Sequence, residues 1–340
     1  MRKIPTVYDK MLGTLLGVAL GDAMGMPAEG FSRERVRRQF GGIADFLPGP
    51  PDNPISAGFR AYETTDDTAV TVLVAELLLD SPGLPDPLAL VKRIEAWARG
   101  NGKSRTVIGP STRRAFDRLH AGVPVEQAGR EGTTNGAAMR IAPVGIRCDY
   151  RRERELDAFV ERICLPTHHT SPAMAAAAAV AAAVSHGIRG GREEMLSVAL
   201  AAAERDGRMG ADVCSPSVPA RLRLAAELSR RYPQDDDFCR ALYEVVGTGL
   251  PSAESVPAAL AIAHRTGCDL MASIRLCANT GGDTDTMGAI AGAVCGAHTG
   301  ASAIPARHVK AVCEVNPFPF AHLAQAFAAR AEKMGRQPSR

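Results

Sequence analysis

The sequence predicts an all-α protein, a compact single-domain bundle of many helices, and three observations support this. Of its 340 residues 46% are hydrophobic but only 5% aromatic, and much of the apolar content is alanine. Small apolar side chains suit helices packed close together, whereas sheet sandwiches draw on aromatic and β-branched residues. Two segments carry glycines at intervals of four, Gly13, Gly17, Gly21 and Gly25 near the start and Gly288, Gly292 and Gly296 near the end. Apolar runs of helical length also recur with no fixed repeat and no linker between them. The length is large for one domain, yet nothing divides it. One domain over 1–340 is expected, with about 1–10 and 333–340 as peripheral tails.

The first helix expected is "MLGTLLGVALGDAMG". Each of its glycines costs roughly 0.8–1 kcal/mol of helix propensity against alanine, so a ridge of them points to another backbone lying close by. Gly41 to Glu63 is rich in proline and glycine, an irregular segment of the length that is usually functional or mobile. Apolar periodicity then predicts helices over Ala69 to Leu79, Leu88 to Arg99, Ser111 to Leu119 and Pro172 to Ser185, the last with Ser171 as N-cap and Pro172 at the first helical position. Further helices are expected over Glu193 to Glu204, Val218 to Arg230, Asp236 to Val246, Val256 to Arg265, Asp269 to Cys277, Thr286 to Ala297 and Phe320 to Ala331. The Thr286 segment repeats the glycine ridge of the first.

The net charge of +3 is small, and the basic runs "RERVRR" and "RRERE" are interleaved with glutamate. They read as solvated helix faces, so no nucleic-acid partner is expected. The eight cysteines have neither CxxC pairs nor framework spacing, which argues against zinc and disulfides. Arg2, Lys3 and Lys10 before "MLGTLLGVAL" superficially resemble a signal peptide, but Asp22 follows and no cleavage site is convincing. The alanine run from Ala173 to Val184 is too short and too weakly hydrophobic to span a bilayer. A soluble, cytoplasmic protein without a membrane partner is expected.

Two acidic clusters carry the chemistry. "TTDDT" (Thr64 to Thr68) precedes "AVTVLVAELL", and "GGDTDT" (Gly281 to Thr286) precedes "MGAIAGAV". Threonine and aspartate are ordinary N-caps, and an acid in a first turn gains about 0.3–1 kcal/mol from the helix dipole. Capping explains one carboxylate per helix well and two per helix poorly. Should the two helices converge, Asp66, Asp67, Asp283 and Asp285 would share one space with the hydroxyls of Thr65 and Thr286. So many negative charges must protonate or be neutralised. Oxygen ligands without histidine or thiolate suit a hard cation such as Mg²⁺ or Mn²⁺, and the carboxylates suffice for two ions.

Six stretches in this order, "GVALGDAMGMPAEG", "TTDDTAV", "GTTNGAAMRIAPVG", "PTHHTSPAMAAAA", "ESVPAALAIA" and "NTGGDTDTMGAIAGA", resemble the ADP-ribosylglycohydrolases, the ARH-like or dinitrogenase reductase-activating glycohydrolase family. The resemblance covers almost the whole chain. It implies a compact all-α fold with a binuclear Mg²⁺ centre, Mn²⁺ being a possible substitute, that cleaves a glycosidic bond at the anomeric carbon of an ADP-ribose. It also implies that Thr65, Asp66 and Asp67 bind one ion, that Asp285 bridges, and that Asp283 and Thr286 serve the second. Glu29, Asp67 and Asp285 become the candidate catalytic residues. Glu29 falls where the family has a glutamate that coordinates metal or helps activate water.

"GTTNG" is a glycine-bounded turn that can offer backbone N–H groups to a phosphate. The resemblance makes Gly132, Thr134, Asn135, Gly136 and Met139 substrate-lining, and places His168, of the Thr167–His168 pair, at the same pocket. Arg140 and His169 are left open between substrate contact and structure. The reaction expected is hydrolysis through an oxocarbenium-like transition state, with no residue assigned as leaving-group acid. An ADP-ribosylated protein or small conjugate is the substrate expected, and a smaller N-riboside or nucleoside is the alternative. Isoprenoid diphosphate chemistry is disfavoured by the scarcity of aromatics and the missing DDxxD spacing, and a non-enzymatic relative by the intact acidic clusters.

Overall fold

The computed structural model describes residues 5–100, 102–103, 107–191 and 194–335, which form seventeen α-helices joined by short 3₁₀ and π turns. Among the described residues β structure is limited to isolated bridges, Phe31 with Gly282, Thr134 with Pro251 and Thr170 with Ala211. The fold class is all-α.

The two glycine-ridged helices, Val7–Gly25 and Thr284–Thr299, lie antiparallel at the centre. A Cβ on Gly21 would sit 1.9 Å from Gly288 O, and one on Gly25 2.2 Å from Thr284 O. Only glycine permits such an approach, and the close packing of backbone on backbone along the ridge offsets its poor helix propensity. Around this pair runs one apolar cluster from Met11 to Phe327. The alanine helix Ser171–Arg189 is buried over almost its whole length, as expected of a helix apolar on every side. Residues 7–28 and 171–189 are long and apolar enough to cross a membrane, and both are enclosed by other helices.

The expected helices form, with instructive differences in extent. Ala69 to Leu79 starts earlier, as Asp66–Asp80, because Thr65 caps it. Thr286 to Ala297 extends to Thr284–Thr299. Asp236 to Val246 is interrupted: Asp235–Ala241 is α-helical, and Leu242–Val246 widens into a π turn that ends at Gly247 with φ +87°. Ser252–Arg265 begins one turn before the expected Val256 and passes through Pro257. The carbonyl freed by that proline, Ala253 O, accepts from Arg221 Nη1 at 3.3 Å. Glu193, the expected start of the next helix, lies outside the described residues; the helix there is Met195–Asp206.

Five helices were not expected as elements: Arg33–Phe40, Val125–Ala128, Ala142–Arg147, Glu153–Cys164 and Ala306–Val315. The basic run "RERVRR" is not wholly a solvated face. Arg33 is buried, donating to Asn279 O at 2.8 Å and Asp236 Oδ1 at 2.6 Å. Of the terminal stretches, 1–4 and 336–340 lie outside the described residues. Val7–Lys10 belongs to the first helix, and Lys10 Nζ donates to Gly187 O at 2.7 Å.

Candidate active site

The central helix pair brings distant turns to one end of the bundle. The first helix runs through Gly25 into the Glu29 loop, while its antiparallel partner begins at Thr284 beside Asp283 and Asp285. Gly30 N donates to Gly282 O and Gly282 N to Phe31 O, both at 2.8 Å, locking the two loops edge to edge. Gly282 has φ +88°, and a Cβ there would lie 2.3 Å from Thr248 O. The helix Asp66–Asp80 points its N-terminus into the same space. Glu29, Asp66, Asp67, Asp283, Asp285 and Thr286 therefore line one narrow cleft of about 30 Å³ with Thr134, Asn135, Gly136, Met139, Val107, Pro110 and Leu250. A larger opening of about 610 Å³ around Ser171, Arg208 and Arg223 has no such convergence of acids.

One carboxylate oxygen from each of Glu29, Asp283 and Asp285 lies within 4.8 Å of the others. Among the described residues, Glu29 Oε2, Asp67 Oδ1 and Asp285 Oδ1 are enclosed and have no hydrogen-bond partner. Burial, reinforced by neighbouring carboxylates, pushes Asp66 up to about 8 and holds Glu29, Asp67 and Asp285 well above the ordinary carboxylate range. Without a counter-charge the cluster therefore keeps protons. Orphaned buried oxygens, mutual repulsion and an all-oxygen donor set are what a divalent hard cation relieves. The residues present fit such a group.

Asp22 is a site residue that sequence reasoning missed. It is fully buried, and burial raises it to about 6. Its carboxylate accepts from Thr65 N at 3.0 Å, Thr68 N at 3.1 Å and Thr68 Oγ1 at 2.6 Å, anchoring the start of the Asp66–Asp80 helix. Its only sequence signal is an acid inside the apolar glycine-ridged helix. A buried amide serves the Glu29 loop similarly, since Asn53 Nδ2 donates to Glu29 O at 2.9 Å.

Thr65 acts as the cap of its helix, its Oγ1 accepting from Asp67 N at 3.3 Å and lying 3.4 Å from Asp67 Oδ2. Asn135 Nδ2 donates to Asp283 Oδ2 and to Ser255 Oγ. Gly132 does not line the cleft: it packs on the backbone of Thr167, where a Cβ would meet Thr167 O at 2.1 Å, and its carbonyl accepts from Thr170 Oγ1. His168 is wholly buried behind Gly136 and acts through Thr134. Arg140 is also buried, donating to Ile163 O and Thr167 Oγ1, and His169 pairs with Glu161 at 3.5 Å.

The chain Arg140, Thr167, His168, Thr134 has a defined direction. Arg140 only donates, so Thr167 Oγ1 accepts from it. Among the described residues the buried Thr167 hydroxyl has one acceptor, His168 Nδ1, at 2.7 Å. Burial holds His168 far below its usual range and hence neutral, so its proton sits on Nε2 and is donated to Thr134 Oγ1 at 3.0 Å. Thr134 is left with its own hydroxyl proton to offer to a ligand in the cleft.

Comparison with known proteins agrees with this geometry. The chain is 38% identical to the uncharacterized protein YegU of Escherichia coli (strain K12), over 94% of this chain and 96% of that protein. It is 28% identical to the ADP-ribosyl-[dinitrogen reductase] glycohydrolase of Rhodospirillum rubrum, over 88% and 89% of the two chains. Among solved structures, an ADP-ribosylglycohydrolase-related protein complex superposes with a TM-score of 0.69 at 28% identity, covering 94% of this chain and 97% of that one. The ADP-ribosylglycohydrolase family model matches residues 3–338, nearly the entire sequence, and the chain belongs to that family.

Proposed function

We propose that this protein is a Mg²⁺-dependent hydrolase that cleaves the glycosidic bond at the anomeric carbon of ADP-ribose, releasing it from a modified protein side chain or a small conjugate. The observation that carries the reading is the meeting of Glu29, Asp66, Asp67, Asp283 and Asp285 in one buried cleft with unpartnered oxygens. Family membership supports the reaction class. Thr65, Asp66, Asp67, Asp283, Asp285 and Thr286 would hold two ions, with Mn²⁺ as a possible substitute. Bound there, the ions would supply Lewis acidity toward water and the ribose hydroxyls.

The protein's own groups divide the remaining work. Glu29 Oε2, without a partner among the described residues, takes the proton of the attacking water. Oxygen–carbon bond formation at the anomeric centre is matched by departure of the leaving group with the electron pair of the old bond. Carboxylates around the sugar stabilise the positive charge that accumulates on it. Thr134 donates its hydroxyl proton to a substrate oxygen. The cleft has room for ions and water, so the nucleotide part would rest at its rim, where Val107, Pro110 and Leu250 line it. A cytoplasmic location, with no membrane or nucleic-acid partner, belongs to the same proposal; the enclosure of both long apolar helices supports only the part that concerns the membrane.

The test is parallel digestion of ADP-ribosyl-arginine, ADP-ribosyl-serine, O-acetyl-ADP-ribose and plain nucleosides, with Mg²⁺ and with chelator. Cleavage of at least one ADP-ribose conjugate, in Mg²⁺ only, is the expected outcome. Turnover restricted to nucleosides would replace the substrate assignment, and no turnover of any would sink it.

A further inference from the structure

We propose that Asn316 is a positioning residue for the acidic turn Thr65 to Asp67, clasping the incoming chain in a backbone conformation it would not hold alone. This inference rests on the reading of that turn as part of a metal site. Three residues before Thr65, Tyr62 adopts φ +67°, the left-handed region that a bulky side chain rarely visits. Such a conformation is strained and persists only where the surroundings over-determine it. Here they do so through one helix.

Ala306–Val315 ends at Asn316, about 250 residues away in sequence and 5% exposed. The Asn316 amide is saturated. Its Nδ2 donates to Tyr62 O at 2.7 Å and to Val312 O at 2.9 Å, while its Oδ1 accepts from Thr64 N at 3.1 Å and Thr64 Oγ1 at 3.0 Å. One side chain thus reads the carbonyl of residue 62 and the N–H of residue 64, fixing the path between them. The same helix reaches the Tyr62 ring through His308, whose Nδ1 lies 2.9 Å from Tyr62 Oη, and Phe46 of the preceding loop stacks on the ring with centroids 4.1 Å apart.

The next link, Thr65 N, is taken by Asp22. The turn is therefore held on consecutive residues by two buried side chains from opposite ends of the sequence. A simple structural role would make Asn316 a helix C-cap whose loss lowers stability alone. The four-way clasp on a strained segment, leading directly into Asp66 and Asp67, ties it to the placement of those carboxylates. Such supporting contacts typically change metal affinity by about 10–100-fold.

The experiment is Mn²⁺ titration followed by electron paramagnetic resonance, with thermal melts, on the full chain. Four proteins are compared: wild type, Asn316→Ala, Asn316→Asp and Leu196→Ala, the last a buried position on a helix that adds nothing to the cleft. Both Asn316 variants are expected to bind Mn²⁺ about 10–100-fold more weakly, with Leu196→Ala staying within about twofold of wild type even where it melts earlier. Should Asn316→Ala not fold, Asn316→Asp carries the test, since it keeps the acceptor for Thr64 and loses the donors to Tyr62 O and Val312 O. Folded Asn316 variants with wild-type Mn²⁺ affinity would overturn the proposal. A wild type that binds no Mn²⁺ would instead bring down the metal reading itself, and this inference with it.

Discussion

Gly17 and Gly292 pass backbone against backbone: a Cβ built on either would lie 2.0 Å from the carbonyl oxygen of the other. This closeness brings the Glu29 loop beside Asp283 and Asp285, so the site's dimensions depend on a contact in the middle of the bundle. Gly292→Ala forces two helices apart with no flexible side chain to yield. The expected loss exceeds the ~1–3 kcal/mol of ordinary overpacking, and denaturant unfolding would measure it. A stability within about 0.5 kcal/mol of wild type would mean that the ridge is not a tight contact.

The acids of the cleft make stability depend on pH. Burial raises Asp66 from 3.8 to about 8 and Asp22 to about 6. The folded chain therefore binds protons more tightly than the unfolded one between about pH 4 and 8. Their contribution is present at the acid end of that window and is lost as pH climbs. In metal-stripped protein the melting temperature is expected to fall across the window, and saturating Mg²⁺ should flatten the fall. Asp206, raised to about 8 by burial beside Asp157, lies outside the cleft and adds a metal-insensitive part, so the comparison belongs in Asp206→Asn. Identical pH profiles with and without Mg²⁺ would contradict the expectation.

Asn135 supplies a donor to Asp283 from a loop almost 150 residues away. Asn135→Ala leaves that carboxylate without its amide partner. Steady-state kinetics should show kcat/KM reduced by about 10–100-fold, with the helical circular dichroism signal retained. An unchanged kcat/KM would show that Asp283 needs no orienting donor.

The directed chain ending at Thr134 makes a separable claim. Thr134→Val keeps the shape and removes the proton offered to substrate. KM is expected to rise roughly 10-fold or more, the worth of a hydrogen bond to a charged acceptor, while Mn²⁺ affinity stays unchanged. A fall in Mn²⁺ affinity with unaltered KM would place Thr134 with the metal ligands.

The legible parts of the sequence were those with short-range signatures. Glycines at intervals of four announced the central pair, and paired acids beside capping threonines announced two walls of the cleft. Asp22 carried no periodic signal, because its partners Thr65 and Thr68 lie 43 and 46 residues away. Asn316 was silent for the same reason. Gly132 shared a motif with the lining residues, but its missing Cβ makes room for the Thr167 backbone and not for a ligand. Arg33 looked solvated within a basic run, and only the folded chain supplies the Asn279 and Asp236 oxygens that bury it. Spacing reveals which residues share a helix face, whereas contacts between distant loops leave little trace in it.

Release of free ADP-ribose from an ADP-ribosyl conjugate, followed as metal-stripped protein is titrated with Mg²⁺, bears most directly on the shared acid cleft. No release in excess chelator, a saturable return with Mg²⁺, and no return in Asp285→Ala are the expected results. Full turnover in chelator, or wild-type turnover by Asp285→Ala, would contradict the claim that these carboxylates act together through bound cations.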